Sequence, residues 1–104
     1  MALTIKDAHD PDARLDYEIN WGPFVDELGE TQPGWLYEDD VIVSSTWKDA
    51  TGGLAIDTDS HTDTHAKVWL TGGTPGETGS VTNHVTTAAG REDDRTLRIK
   101  IKEL

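Results

Sequence analysis

The chain has 104 residues, 35% of them hydrophobic, with 20 acids against 9 bases and no cysteine. That is the size of one small domain. It excludes a disulfide framework and a thiolate metal centre, holds no apolar run long enough for a membrane-spanning helix, and its net charge of −11 repels nucleic acid and anionic membranes.

Residues 1–14 are expected to form a flexible N-terminal arm, since Asp7, Asp10, Pro11 and Asp12 break any period and bury nothing. The stretch from Met1 to Arg14 lacks the apolar core of a signal peptide, which points to synthesis in the cytoplasm. Residues 15–104 are expected to form a single domain. Leu15, Tyr17, Ile19 and Trp21 alternate with Asp16, Glu18 and Asn20, the pattern of a half-buried strand. Gly22-Pro23 ends it. Residues 23–39 scatter Phe24, Val25, Leu28, Trp35, Leu36 and Tyr37 among acids and predict a long acidic loop with a few apolar anchors.

Asp40 to Lys48, rich in β-branched residues, predicts a second strand. Thr51-Gly52-Gly53 turns the chain into a strand that starts at Leu54-Ala55-Ile56. Asp59-Ser60-His61 reads as the next turn, and His65 to Leu70 as the returning strand. Gly72 to Gly79 reads as a loop, Thr78 to Thr87 as a strand, Gly90-Arg91 as a tight hairpin and Thr96 to Lys102 as the last strand. There Leu97, Ile99 and Ile101 face one way and Arg98, Lys100 and Lys102 the other. Such a cation row protects an edge strand or docks an acidic partner. Strands at roughly ten-residue spacing predict an all-β fold, an immunoglobulin-like β-sandwich of about seven antiparallel strands. A small barrel is the alternative.

The charge is unevenly spread: residues 1–90 carry 16 acids and 4 bases, residues 91–104 carry 4 acids and 5 bases. Either this surface only solubilises the protein, or it reflects a halophilic source whose salt screens dense carboxylates. No serine sits in a nucleophile elbow, no acid pair stands out for glycoside hydrolysis, and the paired glycines make no phosphate loop, so an enzyme and a bound cofactor are not expected. His61, Asp63 and His65 would share one face of a continuous strand and are weak candidates for a divalent metal; otherwise they are solvated hairpin residues divided by a turn. Trp21, Trp47 and Trp69 lie in strands and are expected in the core. Trp35 either folds back on the domain or anchors a partner. Arg91 and Arg95 flank Glu92-Asp93-Asp94 and either pair across that turn or reach an acidic neighbour.

Three segments carry a resemblance: Val41 to Trp47, Val68 to Gly73, and Val81 to Arg91. In order and spacing the chain from about residue 15 onward resembles the fibre–tail adaptor proteins, small virion proteins of tailed phages. The resemblance implies an immunoglobulin-like domain built into the virion near the neck or tail, joining other structural proteins (neck, tail or fibre) without catalysis or cofactor. Symmetric multi-copy assembly is expected, with no nucleic acid and no membrane partner. Such domains often carry a tyrosine just before the Val81 strand; here the position is Gly79. The candidate partner interface is Trp35, Tyr37, Arg91, Arg95, Arg98, Lys100 and Lys102. The competing reading is a carbohydrate-binding or adhesin-type module, which requires at least two tryptophans exposed on one face.

Overall fold

The computed structural model describes residues 2–5 and 8–103. Asp7, one of the acids assigned to the arm, lies outside them. Among the described residues there is no helix, and nine strands form: β1 (Ala2–Thr4), β2 (Leu15–Asn20), β3 (Phe24–Val25), β4 (Thr31–Gln32), β5 (Ile42–Lys48), β6 (Leu54–His61), β7 (His65–Gly72), β8 (Thr78–Thr87) and β9 (Glu92–Lys100). They make a four-stranded sheet in the order β1-β9-β8-β5, a three-stranded sheet in the order β2-β7-β6, and the small pair β3-β4.

Side-chain period decides which face of each large sheet is buried. Along β8, Val81, Asn83, Val85 and Thr87 point inward while Ser80, Thr82, His84 and Thr86 are half-exposed. Leu97 and Ile99 of β9 continue that inner face, and Ile42 and Trp47 of β5 complete it. Ala66, Val68 and Leu70 of β7, with Ile19 of β2 and Leu54 of β6, are the buried residues of the three-stranded sheet. Residues of both sheets belong to one buried cluster, which also takes in Trp21, Leu36 and Ile101. Its cohesion is hydrophobic, at roughly 25 cal/mol per Å² of apolar surface removed from water.

Four expectations need correction. The strands are nine rather than about seven, and not all antiparallel, because β1 runs parallel to β9. That pairing makes β9 an interior strand, so its cations do not guard an edge. The last strand also begins at Glu92, not Thr96: Glu92, Asp93 and Asp94 are poor strand formers, yet they extend the ladder opposite Thr86, Val85 and His84. The turn read at Asp59-Ser60-His61 lies further on, at 62–64, where the Thr62 amide donates to the His65 carbonyl.

The N-terminal segment buries more than expected. The Ile5 amide donates to Arg98, the His9 amide donates to Lys100, and the His9 carbonyl accepts from Lys102. His9 is fully buried, sharing a 2.8 Å hydrogen bond with the Tyr17 hydroxyl. Burial lowers its pKa, against the opposing influence of the Gly72 carbonyl and Asp10. At Gly79 a Cβ would lie 2.5 Å from Leu54 Cδ1 and 2.8 Å from the Thr51 carbonyl oxygen. No side chain fits, so the tyrosine usual at this place has no room.

Candidate partner-binding surfaces

Residues 22–40 are organised with hardly any ladder. Strands β3 and β4 have two residues each, and Asp26 staples the turn between them. Its carboxylate accepts from the Gln32 amide at 2.7 Å and from the Leu28 and Glu30 backbone at 2.9 and 3.0 Å. These bonds, the Gln32 one foremost, hold Asp26 below the usual carboxylate range. The stapled turn leaves Phe24, Val25 and Leu28 facing out, Leu28 at 85% exposure. The hairpin base borders a hollow of about 320 Å³ shared with Pro33, Leu36 and Glu38.

The chain then folds back. Gly34 lies so close that a Cβ would sit 2.0 Å from the Gly22 carbonyl oxygen. This approach lets the Leu36 amide donate to Trp21 at 3.0 Å and buries Leu36. Trp35 meets Trp21 edge-on, ring centroids 5.1 Å apart. Trp35 therefore folds back on the domain, half-buried.

Arg91, from the β8–β9 turn, is the clamp. Its guanidinium lies 4.2 Å from the Trp35 ring centre and 4.1 Å from that of Tyr37, and it donates to the Trp35 carbonyl at 2.6 Å. Three candidates that the sequence scattered over a loop and a hairpin thus form one stack, with Tyr37 63% exposed on its outer side. Asp40 fastens the same turn, accepting from the Val41 and Ala89 amides at 3.0 Å each. The Thr87 hydroxyl, then those amides and the Arg91 charge, hold Asp40 below its ordinary pKa despite burial.

Arg95 is used differently. It lies over the Trp21 ring at 4.1 Å and donates to the Asn20 carbonyl at 3.2 Å, so it is committed within the protein. Trp21 in turn donates its indole N–H to Asn83 Oδ1 at 2.9 Å, and the Asn83 amide donates to Ser45 Oγ and the Thr46 carbonyl. Sequence reasoning did not single out Asn83 or Asp40. The signal for Asn83 was its parity, a polar side chain on the inward register of a strand.

Arg98, Lys100 and Lys102 stand outward at the opposite end of the four-stranded sheet, exposed and without an ion pair among the described residues. Lys100 and Lys102 border a cleft of about 220 Å³ floored by Ala8, Gly76 and Ile101.

The weak metal candidates do not assemble. The 62–64 turn divides His61 from His65, whose Nδ1 atoms engage the Thr62 carbonyl and the Thr64 hydroxyl. No group of three His, Cys, Asp or Glu side chains suited to a metal gathers among the described residues. His84 lies between two acids, Nδ1 2.5 Å from Asp94 and Nε2 3.1 Å from Glu92. The Asp94 bond, then the Glu92 bond, raises its pKa.

No tryptophan is fully exposed. Trp21 and Trp47 are buried. Trp69, expected in the core, instead lies on the outer face of the three-stranded sheet, half-buried with Arg14 4.3 Å above its ring. Its odd register on β7 places it there, since Ala66, Val68 and Leu70 occupy the inner face.

This is an all-β protein whose candidate binding side chains gather at two ends of the four-stranded sheet, Trp35, Tyr37 and Arg91 at one and Arg98, Lys100 and Lys102 at the other. A family model described as podophage GP4 fiber-tail adaptor protein gp77 matches residues 9–100, and the chain belongs to that family. Membership makes it a phage structural protein of the fibre–tail adaptor type, with other phage tail proteins as its partners and the virion as its place. No curated protein matches the chain.

Proposed function

We propose that the chain is a rigid immunoglobulin-like β-sandwich that links other virion proteins in the neck or tail region, with fibre attachment as its task. It acts by protein–protein binding, in several symmetric copies, and without catalysis. Residues 15–104 are the domain and residues 1–14 its N-terminal arm. The chain is made in the host cytoplasm, where its acidic surface keeps it soluble.

The observation that carries this reading is the Trp35–Arg91–Tyr37 stack. It is pre-organised by Arg91's bond to the Trp35 carbonyl, it presents an exposed tyrosine, and it belongs to the segment that also exposes Phe24, Val25 and Leu28. Aromatic and arginine anchors of this kind carry most of the energy of an interface. Arg98, Lys100 and Lys102 supply a second contact at the far end. Arg95 supports the first from within.

Quantitative mass spectrometry of gradient-purified particles tests the reading. A fixed copy number is expected, together with at least about a tenfold loss of incorporation for the Tyr37→Ser, Leu28→Ser double variant. Absence of the wild-type chain from particles overturns it.

A further inference from the structure

We propose that Arg98, Lys100 and Lys102, with the cleft beside them, hold an extended acidic segment of another virion protein, one whose carboxylates fall on alternate residues. The proposal rests on the adaptor reading and adds the chemistry of one partner.

The distribution of bases supports it. Arg14 pairs with Asp57, and Lys67 with Asp16 and Glu18. Arg91 and Arg95 are spent on aromatic rings, and Lys48 stands singly on β5 without an ion pair among the described residues. In a chain of 20 acids, Arg98, Lys100 and Lys102 nevertheless stand together without an acid partner among the described residues. Exposed cations that a strongly acidic protein leaves unneutralised at one end are complementary to an anion from outside.

Register narrows the anion. The three cations occupy every second position of an extended segment, so neighbours stand roughly 7 Å apart at a rise of about 3.3–3.4 Å per residue. A partner segment in the same extended form, acidic at every second position, matches that pitch one for one. Strand addition is closed to it. The backbone at Lys100, Ile101 and Lys102 is already bonded to His9 on one side and to Gly76 and Glu77 on the other. Docking is therefore through side chains, along the cleft, where Glu77 is the one acid of the lining against Lys100 and Lys102. A long polyanion is a poorer occupant, because it feels the whole charge of −11.

Salt gives a distinctive signature. The longest dimension of the molecule is 41 Å. The Debye length is about 30 Å at 0.01 M and about 8 Å at 0.15 M. In dilute buffer the peptide meets the repulsion of the entire acidic body; at intermediate salt it meets only the nearby cations; at high salt these too are screened. Affinity is expected to rise and then fall.

The test titrates the full, isotope-labelled chain with a short peptide alternating serine and aspartate, and with a peptide of the same composition whose aspartates form one block. Amide shifts are expected around 76–78 and 98–102, with several-fold tighter binding of the alternating peptide and a salt optimum. About a tenfold loss is expected in the K100E/K102E variant and a smaller loss in K100Q/K102Q. Both variants should keep the remaining spectrum. Equal binding of the two peptides, shifts elsewhere, or unchanged affinity in K100E/K102E overturns the proposal. So does self-association that K100E/K102E abolishes without peptide discrimination, which would make the occupant a second copy. Normal incorporation of K100E/K102E into particles sinks this inference and leaves the adaptor reading standing. Absence of the wild-type chain from particles sinks the adaptor reading, and the virion partner with it.

Discussion

The β8–β9 hairpin and residues 22–40 are held by opposite means. The hairpin has a nine-pair antiparallel register, from Thr78↔Lys100 to Thr86↔Glu92, and buries Val81, Val85, Leu97 and Ile99. Residues 22–40 have two two-residue strands, one buried aliphatic anchor in Leu36, and a set of side-chain fastenings at Asp26, Asp40 and Arg91. Ladders and core distribute stability over many small contributions. Fastenings concentrate it in a few groups, and they release the surface they hold when one is removed. The hairpin, the rigid part of this molecule, and the fastened segment thus differ in how many changes each tolerates.

The largest expected effect breaks the rigid part. Ile99→Ala removes a side chain with no solvent exposure, and a loss of about 2–5 kcal/mol in chemical denaturation is expected. Hydrogen exchange should accelerate across both large sheets together, because they share one core.

Arg91→Lys sharpens the comparison at smaller cost. It keeps the charge but forfeits the planar stack on Trp35 and Tyr37 and the bond to the Trp35 carbonyl. Global stability is expected to fall by only about 1–2 kcal/mol. The visible change should be local: faster exchange and altered aromatic resonances in 33–40, with the β8–β9 ladder unmoved. A uniform loss across the molecule would show that the stack belongs to the core.

The smallest effect is in pH dependence, and the two regions differ in sign. His84, raised by Asp94 and then Glu92, contributes stability present in full below the unfolded histidine pKa and lost as pH climbs through its folded value. Asp40, lowered chiefly by Thr87, contributes stability present above the unfolded carboxylate pKa and lost as pH falls through its folded value. Between neutral pH and about 6, His84→Gln should therefore flatten a gain seen in the wild type. Below about 4, Asp40→Asn should flatten a loss confined to residues 35–41 and 87–91. Thermal melts and amide spectra across pH check both.

The hairpin was legible because its physics is periodic. Val81, Val85, Leu97, Ile99 and Ile101 alternate with polar residues, and a period of two needs no tertiary information. That period alone marks out Thr78 to Thr87, the observed bounds of β8. Strand β1 was not foreseen, because three residues carry no pattern and its partner lies more than ninety positions away in sequence. Trp35, Tyr37 and Arg91 were each legible as candidates by residue type. Their meeting was not, since it depends on Gly34 passing against Gly22 and on Asp40 holding the β8–β9 turn. For Trp69 aromatic bulk points to the core, while its register on β7 dictates the outer face.

The parallel pairing of β1 with β9 has a mechanical consequence. A pull that separates residue 2 from Ile101 along the strand axis drags β1 and β9 past one another in opposite directions. Their hydrogen bonds are then strained together in shear and must break as a set, where an antiparallel hairpin pulled at its open end would unzip rung by rung. The strand order makes the seam between β1 and β9 the joint that resists such a pull.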